Sequence, residues 1–429
     1  MSFLWGVATS AYQIEGAVEN DWTDWEAAGK LSVSGVRCGE ATGHRARWEA
    51  DFDLICAVGA NAYRHSVEWS RIEPRPGEFD EEELLFQRRR TEALLRRGVE
   101  PVLTLSHFTH PRWFHAEGGW ESPEAVARFA RLAGRVAGAL GDSVRWWAPF
   151  NEPLVLLLGG FLAGKMPPGR RHFGAAATAL RHMLEAHVAA AAEIRRLSPK
   201  ASIGIAHNML EVVPDRPDSA LDRRLAAAGD RFYNTAILQA FATGRVDWGL
   251  PGVGRVAFSL PDLPAAIDWV GVNYYSRVHA RFGPREGLPG RVFYRDREGR
   301  GLTDMGWEVH PDGLEKALRR AAAVGRPVIV TENGIAARDA AREAFLREHA
   351  VVLAHCRRMG LPIAGYFYWS LLDNFEWLEG FRPRFGLYEV DYATRARRRR
   401  PSADTFRALG REFCAVTGAG AGSAAASRR

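Results

Sequence analysis

Two glutamates stand where apolar runs end. Glu152 lies in Asn-Glu-Pro after Trp-Trp-Ala-Pro-Phe, and Glu332 lies in Thr-Glu-Asn-Gly after Val-Ile-Val. A charge at the end of a buried run is costly unless something holds it, and a lone strand-end carboxylate ordinarily turns out to water. Facing one another, two such groups suit glycosidic bond cleavage. One protonates the leaving oxygen while the other attacks the anomeric carbon or directs water to it. A gap of about 5–5.5 Å gives retention and about 6.5–9.5 Å inversion, so the elements that carry the pair decide the outcome.

Those elements are legible as period and punctuation. Eight strand-like runs begin at Phe3, Asn61, Pro101, Val144, Ser202, Ile267, Pro327 and Ile363. Stretches with helical spacing lie between most of them, beginning at Glu49, Ala127, Ala179 and Arg342. Strand–helix alternation implies right-handed βαβ units and a parallel sheet. Eight units predict a closed (β/α)8 TIM barrel with extended βα loops, a single catalytic domain over residues 1–415. An open doubly wound sheet is the alternative, but no Gly-x-Gly-x-x-Gly follows an early strand. The small-residue stretch 416–429 is expected to be a disordered tail.

In a barrel the strand ends meet at the C-terminal mouth. Here they carry Gln13, Arg64 with Trp69, His107, Asn151 with Glu152, Asn208, Asn273 with Tyr275, Glu332 and Trp369. The fourth and seventh strands face each other across that mouth, which brings Glu152 and Glu332 to one place. His107, His110 and His115 are irregularly spaced and joined by no carboxylate, so no metal is expected, nor any cofactor.

Composition narrows the class. The chain is 47% hydrophobic with 14 Trp and 22 Phe, enough for a large core. The net charge of +6 raises the possibility of a nucleic-acid partner, but the arginines are spread along helical segments. The run Arg395 to Arg400, broken only by Ala396, reads as a solvated face. No nucleic-acid or membrane partner is expected, since no apolar run reaches spanning length. Four scattered cysteines without a CxxC pair, and no visible signal peptide, point to the cytoplasm.

The chain resembles glycoside hydrolase family 1, the β-glucosidase family of retaining (β/α)8 barrels. The resemblance runs from FLWGVATSAYQIEGA at Phe3 through NAYRHSVEWSRIEP, TLSHFTHPRWF, APFNEP, GVNYYSR, TDMGWEVHPDGL and VTENG to YWSLLDNFEWLEGFRPRFGLYEVD at Tyr368. It implies Glu152 as general acid/base and Glu332 as nucleophile, with Arg64 and Tyr275 touching the nucleophile. Asn151 is then the partner of the sugar 2-hydroxyl. Gln13, His107, Glu376 and Trp377 supply further glycone hydrogen bonds, and Trp369 is the platform under the ring. Trp146, Trp147 and Phe150 are expected to supply the apolar bulk that raises the pKa of Glu152.

The resemblance also implies terminal unphosphorylated β-D-glycosides or short oligosaccharides as substrates, glucosides first, then galactosides and fucosides. Relatives that act on 6-phosphosugars lack the acid at Glu376, whose charge is expected to repel a phosphate. Phe108, Phe381 and His65 depart from common family residues and are expected to tune the pocket. Asn208 and Asn234 read as structural. The rival readings are a transglycosylase on the same scaffold and a non-catalytic glycan-binding protein.

Overall fold

The computed structural model describes residues 2–283 and 290–423. Eight parallel strands close on themselves: β1 (Leu4–Ala8), β2 (Ala62–Ser66), β3 (Glu100–Ser106), β4 (Trp146–Phe150), β5 (Ser202–Pro214), β6 (Trp269–Arg281), β7 (Val328–Asn333) and β8 (Ile363–Trp369). Each pairs with the next, and β8 returns to β1. The expected TIM barrel is therefore the architecture, and all eight predicted runs supply its strands. The main outer helices are α1 (His44–Ala57), α2 (Glu81–Arg96), α3 (Ala125–Leu140), α4 (Phe173–Leu197), α5 (Ala236–Thr243), α6 (Asp312–Ala322), α7 (Asp339–Arg358) and α8 (Pro401–Ser423).

Local chemistry explains the helices. In α3, Phe129, Leu132, Ala133, Val136, Ala137 and Leu140 recur at three- and four-residue spacing and are all buried. In α2, Asp80 caps the N-terminus by accepting from the Glu83 N–H at 3.0 Å. Glu81, Glu82 and Glu83 fill its first turn and Arg96 its last, matching the helix dipole. Helix α8 extends past Val416, where the sequence places the start of a tail, and residues 424–429 lie outside the described residues.

Apolar side chains form two layers, one between sheet and helices and one inside the barrel. On β7, Val328 and Val330 belong to the outer layer and Ile329 to the inner, each fully buried. Burial of this kind stabilises by about 1.5–3 kcal/mol per side chain. The barrel interior is filled by large rings beside small residues. A Cβ on Gly204 would lie 2.2 Å from the Trp269 ring, so only glycine lets that indole occupy the interior.

Strands β5 and β6 outrun the predicted segments. They remain paired from Glu211 with Arg277 to Pro214 with Ala280, and Arg291–Phe293 adds antiparallel to β6. Charges knit this extension together: Glu308 takes two bonds from Arg277, each at 2.7 Å.

The arginine-rich run is only partly the solvated face expected: Arg398 is exposed, while Arg397 and Arg400 turn inward. Arg397 grips Asp51 with two bonds of 2.8 Å, and Arg400 bonds Asp373 at 2.8 Å and Asp339 at 3.2 Å. Arg398 pairs with Glu389 and Arg399 with Asp404. The buried Asp51 and Asp373 draw Arg397 and Arg400 inward, an arrangement that a charge count along the sequence does not show. Among the described residues no helix is long and apolar enough to cross a membrane.

Candidate active site

Strict alternation from Val328 and Val330, which face the helices, would turn Glu332 the same way. The register of β7 with both neighbours slips after Val330, and Glu332 enters the mouth instead. Asn333 then points away, accepting from Tyr366 and donating to the Tyr274 carbonyl. Gly334 follows because a Cβ there would meet the Trp369 carbonyl oxygen at 1.9 Å. Glu152 is aimed by a different device. It sits in the left-handed region, φ 47° and ψ 58°, between β4 and a short helix opened by Pro153. Phe108 and Trp377 also have a positive φ, 73° and 52°, and all three residues line the same cavity.

The cavity, of about 350 Å³, holds both carboxylates together with His107, Asn151, Tyr275, Trp369, Glu376 and Trp377. Arg64 and Gln13, also expected at the site, lie buried just behind this lining. One guanidinium nitrogen of Arg64 bonds Glu332 Oε1, and the other donates to Asn151 Oδ1 at 2.6 Å. The Tyr275 hydroxyl donates to Glu332 Oε2 at 2.6 Å. Gln13 donates to the Phe375 carbonyl at 2.8 Å and more weakly to Glu376 Oε2 at 3.5 Å, orienting the segment that carries Glu376.

Two asparagines complete the constellation. Asn273 Nδ2 donates to Glu152 Oε1 at 2.8 Å and to Asn151 Oδ1 at 3.1 Å. Asn208 Nδ2 donates to the same Glu152 oxygen at 3.0 Å, while Tyr233 donates to Asn208 Oδ1 at 2.6 Å. The reading of Asn208 as structural needs correction, because it touches Glu152 directly. Its position at the end of the run read from sequence, Ser202 to Asn208, was the available signal, although the strand itself continues to Pro214. Asn234 is structural: it pairs with both backbone groups of Leu210, at 2.7 and 3.1 Å.

Burial and the neighbouring Glu332 push the Glu152 carboxyl up to about 8, against the lowering effect of Asn273, Asn208 and Arg64. The apolar surroundings are not the expected ones. Trp146 lies in the barrel interior, Trp147 packs outside the sheet, and Phe150 stacks on Phe129 at 4.5 Å. Val155, Met166, Leu210 and Met305 line the cavity instead, contributed by the segment after β4, by the extended part of β5 and by the loop after β6. Distant parts of the chain supply them, so proximity in sequence is a poor guide.

Glu376 is likewise pushed up to about 8, by burial and then by Glu332. Near neutrality it carries a proton, which weakens the expected repulsion of a sugar phosphate by its charge. No Lys or Arg is among the described residues that form the lining. Burial and Arg64 drive the His107 imidazole well below its ordinary range, so it is neutral, with Asn151 at 3.2 Å from Nε2. The rings of His107, Trp369 and Trp377 lie nearly parallel, with centroids 5.9 and 6.1 Å from that of His107. His110 is consumed by Asp21 and Trp120, away from this cavity. Of the three departures, Phe108 alone lines it. Phe381 packs on Tyr392, and His65 stacks on Tyr63 outside the barrel.

Paired strand-end acids, one held by a guanidinium and a phenol and the other by two amides, are groups suited to acid-assisted displacement at an acetal carbon. The chain matches the sequence profile of glycosyl hydrolase family 1 across residues 1–412. It belongs to that family. The β-galactosidase of Pyrococcus woesei is 30% identical, covering 95% of this chain and 96% of the relative. β-Glucosidase A of Thermotoga maritima is 32% identical, covering 92% and 94%. Among solved structures, a β-glycosidase from Pyrococcus horikoshii superposes with a TM-score of 0.88 at 37% identity, covering 96% of this chain and 94% of that one. This family 1 chain is accordingly a glycoside hydrolase.

Proposed function

We propose that this family 1 enzyme is a β-glucosidase with side activity on galactosides and fucosides, working by double displacement with Glu332 as nucleophile and Glu152 as acid/base. The retaining course is general to the family. The observation that carries the assignment of roles is the unequal partnering of the two acids. Arg64 and Tyr275 offer a positive charge and a hydroxyl donor to Glu332, the partners suited to a carboxylate that attacks carbon. Glu152 keeps a proton near neutral pH. Both amides donate to its Oε1, so that proton belongs on Oε2, the oxygen left to meet the leaving group.

After glycosylation of Glu332 its charge disappears, the electrostatic pressure on Glu152 falls, and Glu152 ionises to activate water. Asn151 supports the sugar 2-hydroxyl; His107, Gln13, Glu376 and Trp377 hold the glycone; Trp369 underlies its apolar face. Residues 1–415 form the catalytic unit. Cysteines Cys38, Cys56 and Cys356 are not joined in disulfides, which supports a cytoplasmic setting.

Replacing Glu332 by Ala tests the reading. Hydrolysis is lost, and added azide restores turnover by forming a glycosyl azide of inverted anomeric configuration. A folded Glu332→Ala enzyme that azide does not rescue contradicts the nucleophile assignment.

A further inference from the structure

The barrel order divides the mouth. The end of β8 and the segments after β8, β1 and β3 carry Trp369, Glu376, Trp377, Gln13 and His107, the residues proposed to hold the glycone. The segment after β4, the extended part of β5 and the loop after β6 form the other half, where a leaving group protonated by Glu152 must sit. We propose that this half receives an apolar, aromatic aglycone bearing one hydroxyl, and that Tyr294 recognises that hydroxyl; a second sugar is the poorer occupant. The inference rests on the reading of Glu152 as the acid.

Its surface is Val155, Met166, Leu210, Met305 and Trp307, with the Tyr294 ring beside Trp307 at 6.2 Å. Polar groups on this side are already committed to one another. Tyr233 donates to Asn208, and Asn208 donates to Glu152. Tyr294 is different, for its hydroxyl has no hydrogen-bond partner among the described residues. Glu379, which also lines the cavity, is paired with Arg382. A glucosyl aglycone would bring several hydroxyls to thioether, alkyl and indole surfaces and leave most without partners, which costs affinity. A flat ring covers the same surface without that loss, and one hydroxyl on it answers Tyr294.

The test uses β-D-glucosides whose leaving groups are all alkyl alcohols, so that their intrinsic reactivity is similar: cellobiose, octyl glucoside, 2-phenylethyl glucoside and 2-(4-hydroxyphenyl)ethyl glucoside. kcat/KM for 2-phenylethyl glucoside is expected to exceed that for cellobiose by at least about tenfold, mainly through KM. The ring hydroxyl adds roughly a further three- to tenfold, and Tyr294→Phe brings the ratio of the two phenylethyl substrates to about one. Cellobiose cleaved as well as the apolar glucosides overturns the proposal, as does a hydroxyl ratio that Tyr294→Phe leaves unchanged. Turnover of 4-nitrophenyl glucoside, measured in parallel, reports the underlying chemistry. Its absence strikes the proposed function, whereas its presence with no aglycone preference strikes this inference alone.

Discussion

The ends of β4 and β7 present the same side chain to one cavity and treat it in opposite ways. At β7 a register slip brings Glu332 against Arg64 and Tyr275, a cation and a hydroxyl. At β4 a left-handed backbone brings Glu152 against Asn208 and Asn273, two neutral amides. Amides satisfy a buried carboxyl oxygen without supplying charge, so burial and the opposite carboxylate decide the protonation of Glu152. The lesson is that two identical residues acquire different tasks through the charge of their partners.

Removing Glu152 breaks the comparison most sharply. Glu152→Ala should lose about 10²–10⁴ in rate on glycosides of poor leaving groups such as alkyl alcohols, and little on dinitrophenyl glycosides that need no proton. A plot of rate against leaving-group pKa checks this; a uniform loss across the series would contradict the acid role. Next in size, Arg64→Met strips from β2 the cation that faces Glu332 on β7 and leaves that carboxylate buried beside neutral groups. Breaking a buried pair costs about 3–5 kcal/mol, read as a fall in unfolding free energy with denaturant. Preserved stability would show that Arg64 is not the partner that holds the charge. Tyr275→Phe removes one hydrogen bond to a charged acceptor, about 1.5–3 kcal/mol. If that bond strengthens toward the transition state, kcat/KM falls roughly ten- to hundredfold, by the relation of about 1.4 kcal/mol per factor of ten.

The barrel could be read from sequence because each strand is a short apolar run with its own polar end, and eight such ends require a common mouth. The β5 and β6 extension was invisible, since Glu211, Arg277 and Glu308 look like loop charges until they are seen paired. Residue types at the site were legible for the same reason as the strands, and their contacts were not. Asn208 and Asn273 stood at the correct ends, yet nothing in their spacing says that both reach Glu152 Oε1. Strict alternation also misleads at β7, where only the slip after Val330 turns Glu332 inward.

The smallest effect sharpens the comparison most finely. Asn208 is the better of the two amides to remove, because Asn273 also supports Asn151 and would disturb two groups at once. In Asn208→Ala the ionised form of Glu152 loses a donor, so the carboxyl titrates higher than its present value of about 8. The basic limb of kcat/KM, which reports the acid of the free enzyme, therefore moves upward. Stability gives an independent sign. The folded-state value lies above the ordinary carboxylate range, so the contribution of Glu152 is fully present below that range and declines as pH rises through about 8. Losing the amide deepens the decline, and the stability deficit of the variant is larger at about pH 9 than at about pH 4. A basic limb that stays in place or moves down would mean that Asn208 holds Glu152 only in position and has no part in setting its charge.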